Sequence, residues 1–213
     1  MENRISFANV SFKQLNAIVP IKQVIDERKF EDWFKFSYEL SAAEVDFLTA
    51  LIKKNKSYIN SYSEEELKIK LIGPLLNKVN FFKGAFRDWY ERTISAEIND
   101  TIFSGKVDYM VAKGFKEPEL PYFFIQEFKP SFSNSLPDDQ LLAELMVAIA
   151  QNRTKEAKGA YIQGRYWNFA ILEKDESNSY LYSLSQSFDA IQLEELKAIY
   201  INLQAVKHSL PDT

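Results

Sequence analysis

The chain has 213 residues, a formal net charge of −4, no cysteine and a single histidine, His208. The missing thiols exclude disulfides, thiolate zinc sites, iron–sulfur clusters and cysteine nucleophiles within it, and one histidine near the C-terminus speaks against histidine metal sites and Ser–His–Asp catalysis. A composition 46% hydrophobic and 15% aromatic, with six glycines and seven prolines, can fill a core and argues against disorder. The length suits one domain, or one domain with a modest appendage.

The sequence pI of about 5.3 lacks the basic footprint of a free-standing nucleic-acid binder. Carboxylates gathered around a cation would lower the net charge locally, and lysines and arginines can still cluster on one face. Met1 to Asn16 has no uninterrupted apolar run, so it does not read as a signal peptide. The most apolar later run, Leu141 to Ala150, contains Glu144 and is too short to span a bilayer. These features predict a soluble, cytoplasmic protein with no membrane contact.

The first forty residues are aromatic and irregular, with Trp33, Phe34, Phe36 and Tyr38 close together. They read as an arm packing on the domain or on a partner. Ser41 with Glu44, and Ser63 with Glu66, form capping boxes ahead of Leu48, Leu51 and of Leu67, Leu71, Leu75, which recur at helical spacing. Pro74 is expected to kink the second helix. Phe86 to Ile98 reads as a strand, Asn99-Asp100 as a turn, and Thr101 to Ala112 as the returning strand. Tyr122 to Lys129 is a buried strand ended by Pro130. Pro137 opens a helix to about Arg153; Gly159 to Gln163 and Tyr166 to Leu172 form a hairpin. Tyr180 to Leu184 is a shorter strand and Leu193 to Lys207 a closing helix. The interleaving predicts an α/β fold, a sheet flanked by helices.

Side chains alternate along a strand, so Glu127 and Lys129 share one face while Phe124, Gln126 and Phe128 share the other. An acid and a lysine near a sheet core need partners, and a simple ion pair at a strand end would satisfy both. Asp108 stands in a second alternating strand, with Lys106 and Met110 on its face. If the two strands are neighbours in the right register, Asp108 and Glu127 converge. Two close carboxylates repel unless they share a cation or proton, and such oxygen ligands suit Mg²⁺. A metal there can polarise a phosphate and lower the pKa of an attacking water, with Lys129 steadying the developing charge.

An acid in Gly105-Lys106-Val107-Asp108-Tyr109, followed by an apolar strand ending Glu127-Phe128-Lys129, resembles the PD-(D/E)XK nuclease superfamily. Its N-terminal domains of type I restriction motor subunits are the nearer likeness. Ser63-Glu64-Glu65-Glu66 ahead of Lys70-Leu71-Ile72-Gly73-Pro74-Leu75-Leu76 matches their helix, and Gly159 to Phe169, with Gln163 before the turn glycine, resembles their hairpin. The likeness spans Ser63 to Leu172; Val107 stands where the usual proline precedes the first acid. It implies a restriction-endonuclease-like αβββαβ core with a central mixed sheet, an N-terminal arm and helix over residues 1–60, and the nuclease-like domain over 61–213, all in one structural unit. Asp108 and Glu127 would be metal ligands, Lys129 the catalytic lysine and Glu64 an accessory acid, though Glu65 or Glu66 could face the site instead. Gln140, or Glu144 one turn later, would point inward from the following helix.

The activity implied is Mg²⁺-dependent hydrolysis of DNA, with Mn²⁺ able to substitute. Arg153, Lys155, Lys158 and Arg165 are the candidate phosphate contacts, against the plainer reading of a solvated charge run. A second reading is a catalytically inactive binding or regulatory module that keeps the fold and meets a protein partner, or a second copy of itself, through Trp33 and Phe36. A third, an enzyme on a small phosphorylated molecule, has no P-loop or G-x-G-x-x-G to support it.

Overall fold

The structure, a computed structural model, describes residues 3–133 and 137–212. Among these, eight strands form one mixed sheet: β1 (Asn3–Ser6), β2 (Ile21–Val24), β3 (Phe86–Ile98), β4 (Thr101–Lys113), β5 (Glu119–Lys129), β6 (Glu156–Gln163), β7 (Tyr166–Lys174) and β8 (Tyr180–Asp189). The helices are α1 (Phe12–Ile18), α2 (Glu31–Phe34), α3 (Ala42–Asn55), α4 (Glu64–Leu67), α5 (Gly73–Val79), α6 (Pro137–Asn152) and α7 (Leu193–Ser209). None of the described helices is long and apolar enough to cross a membrane.

Helices cover both faces of the sheet. Leu48 and Leu51 of α3, Leu75 and Leu76 of α5, and Leu196 and Leu203 of α7 pack on Tyr109, Phe124, Phe128, Ile162 and Phe169. On the other face, Leu141, Leu145 and Ile149 of α6 and Leu15 of α1 pack on Met110, Ile125, Ala170 and Leu172. With both faces buried, β4 and β5 are near-continuous apolar runs rather than alternating ones. Gly159 permits the close approach of α6: a Cβ there would lie 2.7 Å from the Ile125 carbonyl and 3.0 Å from Leu141.

Two local features position the site. The first is a fork in the sheet. β3 pairs antiparallel with β4 along nearly its whole length, whereas the opposite edge of β4 is shared: Thr101–Ser104 pair with β1, and Tyr109–Lys113 with β5. Asp108 sits where β4 passes from one neighbour to the other.

The second is the segment that carries Pro74. Both capping boxes form, Ser41 with Glu44 and Ser63 with Glu66. Beyond α4 the chain makes one π turn, Lys68–Ile72, before α5, and the Gly73 amide donates to the Lys68 carbonyl. Proline has no N–H for the carbonyl four residues back, and the buried Asn55 amide donates to that Lys70 oxygen instead at 3.1 Å. The expected kink is thus taken up as a π bulge.

The first forty residues differ most from expectation. They are not an irregular arm: β1 fills the fork beside β4, and β2 runs parallel to β8 at the far end of the sheet. Strands of four residues are too short to display alternation. Trp33 is buried, meets Phe124 and Phe169 edge-on at 6.0 and 5.1 Å, and donates its indole N–H to the Asn202 carbonyl at 2.9 Å. Phe36 is partly buried against the same cluster. The pair therefore packs inward and does not offer the aromatic docking face expected from sequence.

Candidate active site

The fork opens the sheet at Asp108, so groups from both helical layers meet there. The β4–β5 pairing ends at Tyr109 with Gln126. Two residues on, the Phe128 amide donates to Asp108 Oδ2 at 2.8 Å, a side chain replacing the lost ladder bond. The other oxygen, Oδ1, accepts from Lys68 Nζ at 2.9 Å. Lys68 comes from the π turn and also donates to Glu64 at 2.9 Å and to Glu91 at 2.8 Å. Glu91 belongs to β3, opposite Asp108, and has a left-handed backbone at φ 54°. A side chain in that region costs about 1–3 kcal/mol, a strain that marks functional sites more often than ordinary strands.

From the other layer, Glu127 is fully buried and accepts a hydrogen bond from Lys129, whose Nζ also lies 3.8 Å from Glu64. Glu144 of α6 is fully buried too, held by Gln140 Nε2 at 3.1 Å. One oxygen of each acid, Oε2 in both, has no hydrogen-bond partner.

Burial, then the nearby Asp108 charge, pushes the Glu127 carboxyl up to about 8 against the pull of Lys129. Burial followed by the Glu127 charge raises Glu144 well above the carboxylate range. Burial opposes the Lys68 ammonium, but its bonds to Glu91, Glu64 and Asp108 outweigh that and hold its pKa above the usual lysine value. Lys129 is raised likewise: burial works against its charge, and Glu127, Asp108 and Glu64 together outweigh it.

The donor chemistry suits a hard divalent cation. Glu127 and Glu144 each keep one buried oxygen with no hydrogen-bond partner, and Asp108 shares the Lys68 ammonium with Glu64 and Glu91. Among the described residues, no group of three or more acids is arranged as a ready-made metal cage. Mg²⁺ commonly takes one or two protein carboxylates and keeps several waters, so a site of two carboxylates would not need such a cage.

No family model and no curated protein matches the chain. Among solved structures it is similar to an alkaline exonuclease from Laribacter hongkongensis: TM-score 0.27, 11% identity, 93% of each chain covered. A likeness that slight decides nothing.

The structure brings Asp108, Glu127, Lys129, Glu64, Gln140 and Glu144 to one place. Of the three consecutive glutamates it is Glu64 that faces inward; Glu65 is exposed, and Glu66 is engaged by its capping box and Lys70. The candidate phosphate contacts do not converge. Lys158 lies beside Phe124, toward the far end of β5, over the Trp33 ring. Arg153 follows the C-terminal end of α6, and Lys155 pairs with Glu176. Only Arg165, paired with Asp189, is at the site's end of the sheet. Lys68 and Glu91 went unnoticed in the sequence. The Glu64–Lys68 spacing of four was a readable signal for the first; Glu91 left none.

Proposed function

We propose that the chain is a divalent-cation-dependent nuclease of the PD-(D/E)XK type that hydrolyses phosphodiesters of DNA. The observation that carries this reading is the meeting of Asp108, Glu127 and Lys129 at the fork, with the buried Glu127 Oε2 left without a partner. Asp108 and Glu127 would hold Mg²⁺, or Mn²⁺ in its place. When bound, the cation supplies phosphate polarisation and a more acidic water.

The chain's own residues do the rest. The Phe128 amide fixes the Asp108 carboxylate by its Oδ2 while Oδ1 rests on Lys68. Lys129, held beside Glu127 and Glu64, would face the phosphate oxygens on which charge grows during attack. Gln140 restrains Glu144 behind them, and the apolar layer around Phe128 limits entry of bulk water.

The test is cleavage of supercoiled plasmid and of single-stranded DNA with Mg²⁺ and Mn²⁺, by wild type and Lys129→Ala. A strand-end truncation should leave the fold intact, and loss of a charge-stabilising donor is expected to lower the rate about 10²–10³-fold. One observation favours a second reading, a catalytically inactive module: Lys68 fills the space between Glu64, Glu91 and Asp108. Wild type that neither cuts nor, by calorimetry, binds a divalent cation would decide for the module.

A further inference from the structure

Two cross-strand rows run outward from the candidate catalytic pair. Glu127 on β5 is in register with Tyr161 on β6, which faces Asn168 on β7 and then Ser187 on β8. Lys129 is in register with Gln163, which faces Tyr166. Residues in register across neighbouring strands project to the same face, about 4.8 Å apart per strand. Side chains of these rows line one groove of about 580 Å³, which Asn60, Ser131 and Phe132 complete. Its walls are continuous with the site. Asn60 precedes α4, where Glu64 stands, and Ser131 and Phe132 follow Lys129. The Gly164 amide ties the turn to the Lys129 carbonyl at 2.8 Å.

The chemistry of the groove differs from that of the acids beside it. No lining residue carries a charge. Phe132 is 88% exposed and Tyr166 is 47% exposed, so two rings stand in water at its mouth. Asn60, Gln163 and Asn168 offer carboxamides that form no side-chain hydrogen bond among the described residues, and Ser131 Oγ is buried without a partner. Flat rings beside unengaged donor–acceptor amides match the face and the edge of an aromatic heterocycle. Unpaired bases are held in this way, by stacking on aromatic side chains and by amide contacts to their exposed edges. A base pair within a duplex exposes neither face.

We propose that this groove is a subsite for an unpaired nucleobase, on a strand whose backbone passes Lys129. It deepens the nuclease reading and rests on Lys129 facing a phosphodiester. Phe132 and Tyr166 stack the base, and Gln163 and Asn168 meet its edge. The substrate is therefore a single strand, or the frayed end of a duplex.

The test is fluorescence anisotropy in EDTA, which prevents cleavage. Labelled oligothymidylate, a hairpin duplex of equal length and an oligouridylate would be titrated with wild type, Phe132→Ala, Tyr166→Ala and Phe115→Ala. Phe115 is a ring exposed about as much as Phe132, outside the groove, in the β4–β5 loop. Wild type is expected to prefer the single strand to the duplex at least tenfold. Phe132→Ala and Tyr166→Ala should each weaken single-strand binding by about five- to a hundredfold, with Phe115→Ala unchanged. The oligouridylate separates RNA from DNA, either of which satisfies a base subsite. No single-strand binding, a preference for duplex, or groove variants that bind like wild type would each overturn the proposal. Cleavage that survives in such variants would sink the subsite but leave the nuclease. Binding losses in a protein that cuts nothing would do the reverse.

Discussion

The Lys68 ammonium lies 2.9 Å from Asp108 Oδ1, while the Phe128 amide holds Oδ2 at 2.8 Å, so both oxygens of this carboxylate are engaged. Lys68 also closes Glu64 and Glu91 around itself, so one ammonium is shared by three carboxylates. A cation held by Asp108, as proposed, would compete with Lys68 for that carboxylate.

That competition has a direct readout. Lys68→Met keeps the side-chain length and removes the charge, leaving Glu64, Glu91 and Asp108 without their ammonium. Mn²⁺ affinity measured by calorimetry is expected to rise about tenfold, equivalent to about 1.4 kcal/mol. Metal-free stability should fall by about 1–3 kcal/mol, because half-buried carboxylates lose their donor. Unchanged or weaker Mn²⁺ binding would show that Lys68 and the cation do not share a place.

Glu127 makes metal-free stability depend on pH. Its folded value of about 8 lies above the ordinary 4.5, so the folded chain holds this proton where the unfolded chain has released it. The contribution is fully present below about 4.5 and is lost as pH rises through 8. Glu127→Gln cannot ionise. In EDTA the variant should melt close to wild type at pH 5, and progressively above it from pH 6 to pH 9. Parallel melting curves across that range would mean that Glu127 ionises freely.

Gly73 is expected to be as sensitive as a site residue, although no catalytic role falls to it. A Cβ on Gly73 would lie 2.8 Å from the Lys68 carbonyl, the acceptor of the π-turn hydrogen bond. Gly73→Ala, a stabilising change in an ordinary helix interior, should instead lower the melting temperature. It should also shift Mn²⁺ affinity in the same direction as Lys68→Met, by moving Lys68 off Asp108. A more stable variant with wild-type metal binding would contradict this account of the π turn.

The parts of this molecule with long, regular patterns were legible in the sequence. β3, β4, β6, β7, α3, α6 and α7 begin and end within a few residues of their predicted limits, because apolar periodicity, capping boxes and turn residues all agree there. The strand alternation that put Glu127 and Lys129 on one face also holds, as does the nearness of Asp108. What stayed hidden depends on local departures from regularity. A π turn shifts the phase of a helix, so the helical count from α4 does not carry through to α5. A left-handed residue within a strand turns Glu91 toward the site against the alternation. The groove beyond Gln163 follows from the register between β5, β6 and β7, which no single strand encodes.

The two short N-terminal strands carry a consequence for how the chain assembles. Asn3 pairs with Thr101, and Ile21 with Tyr180, so these two segments find their places only after β4 and β8, later in the chain, have been made. Contacts so distant in sequence form slowly, and an unfilled strand position is an invitation to another chain. Until β1 arrives, the fork beside Asp108 stands open along β4. Completion of this end of the sheet, beside the candidate site, is therefore expected among the last events of folding, and removal of β1 would leave that edge of β4 unpaired.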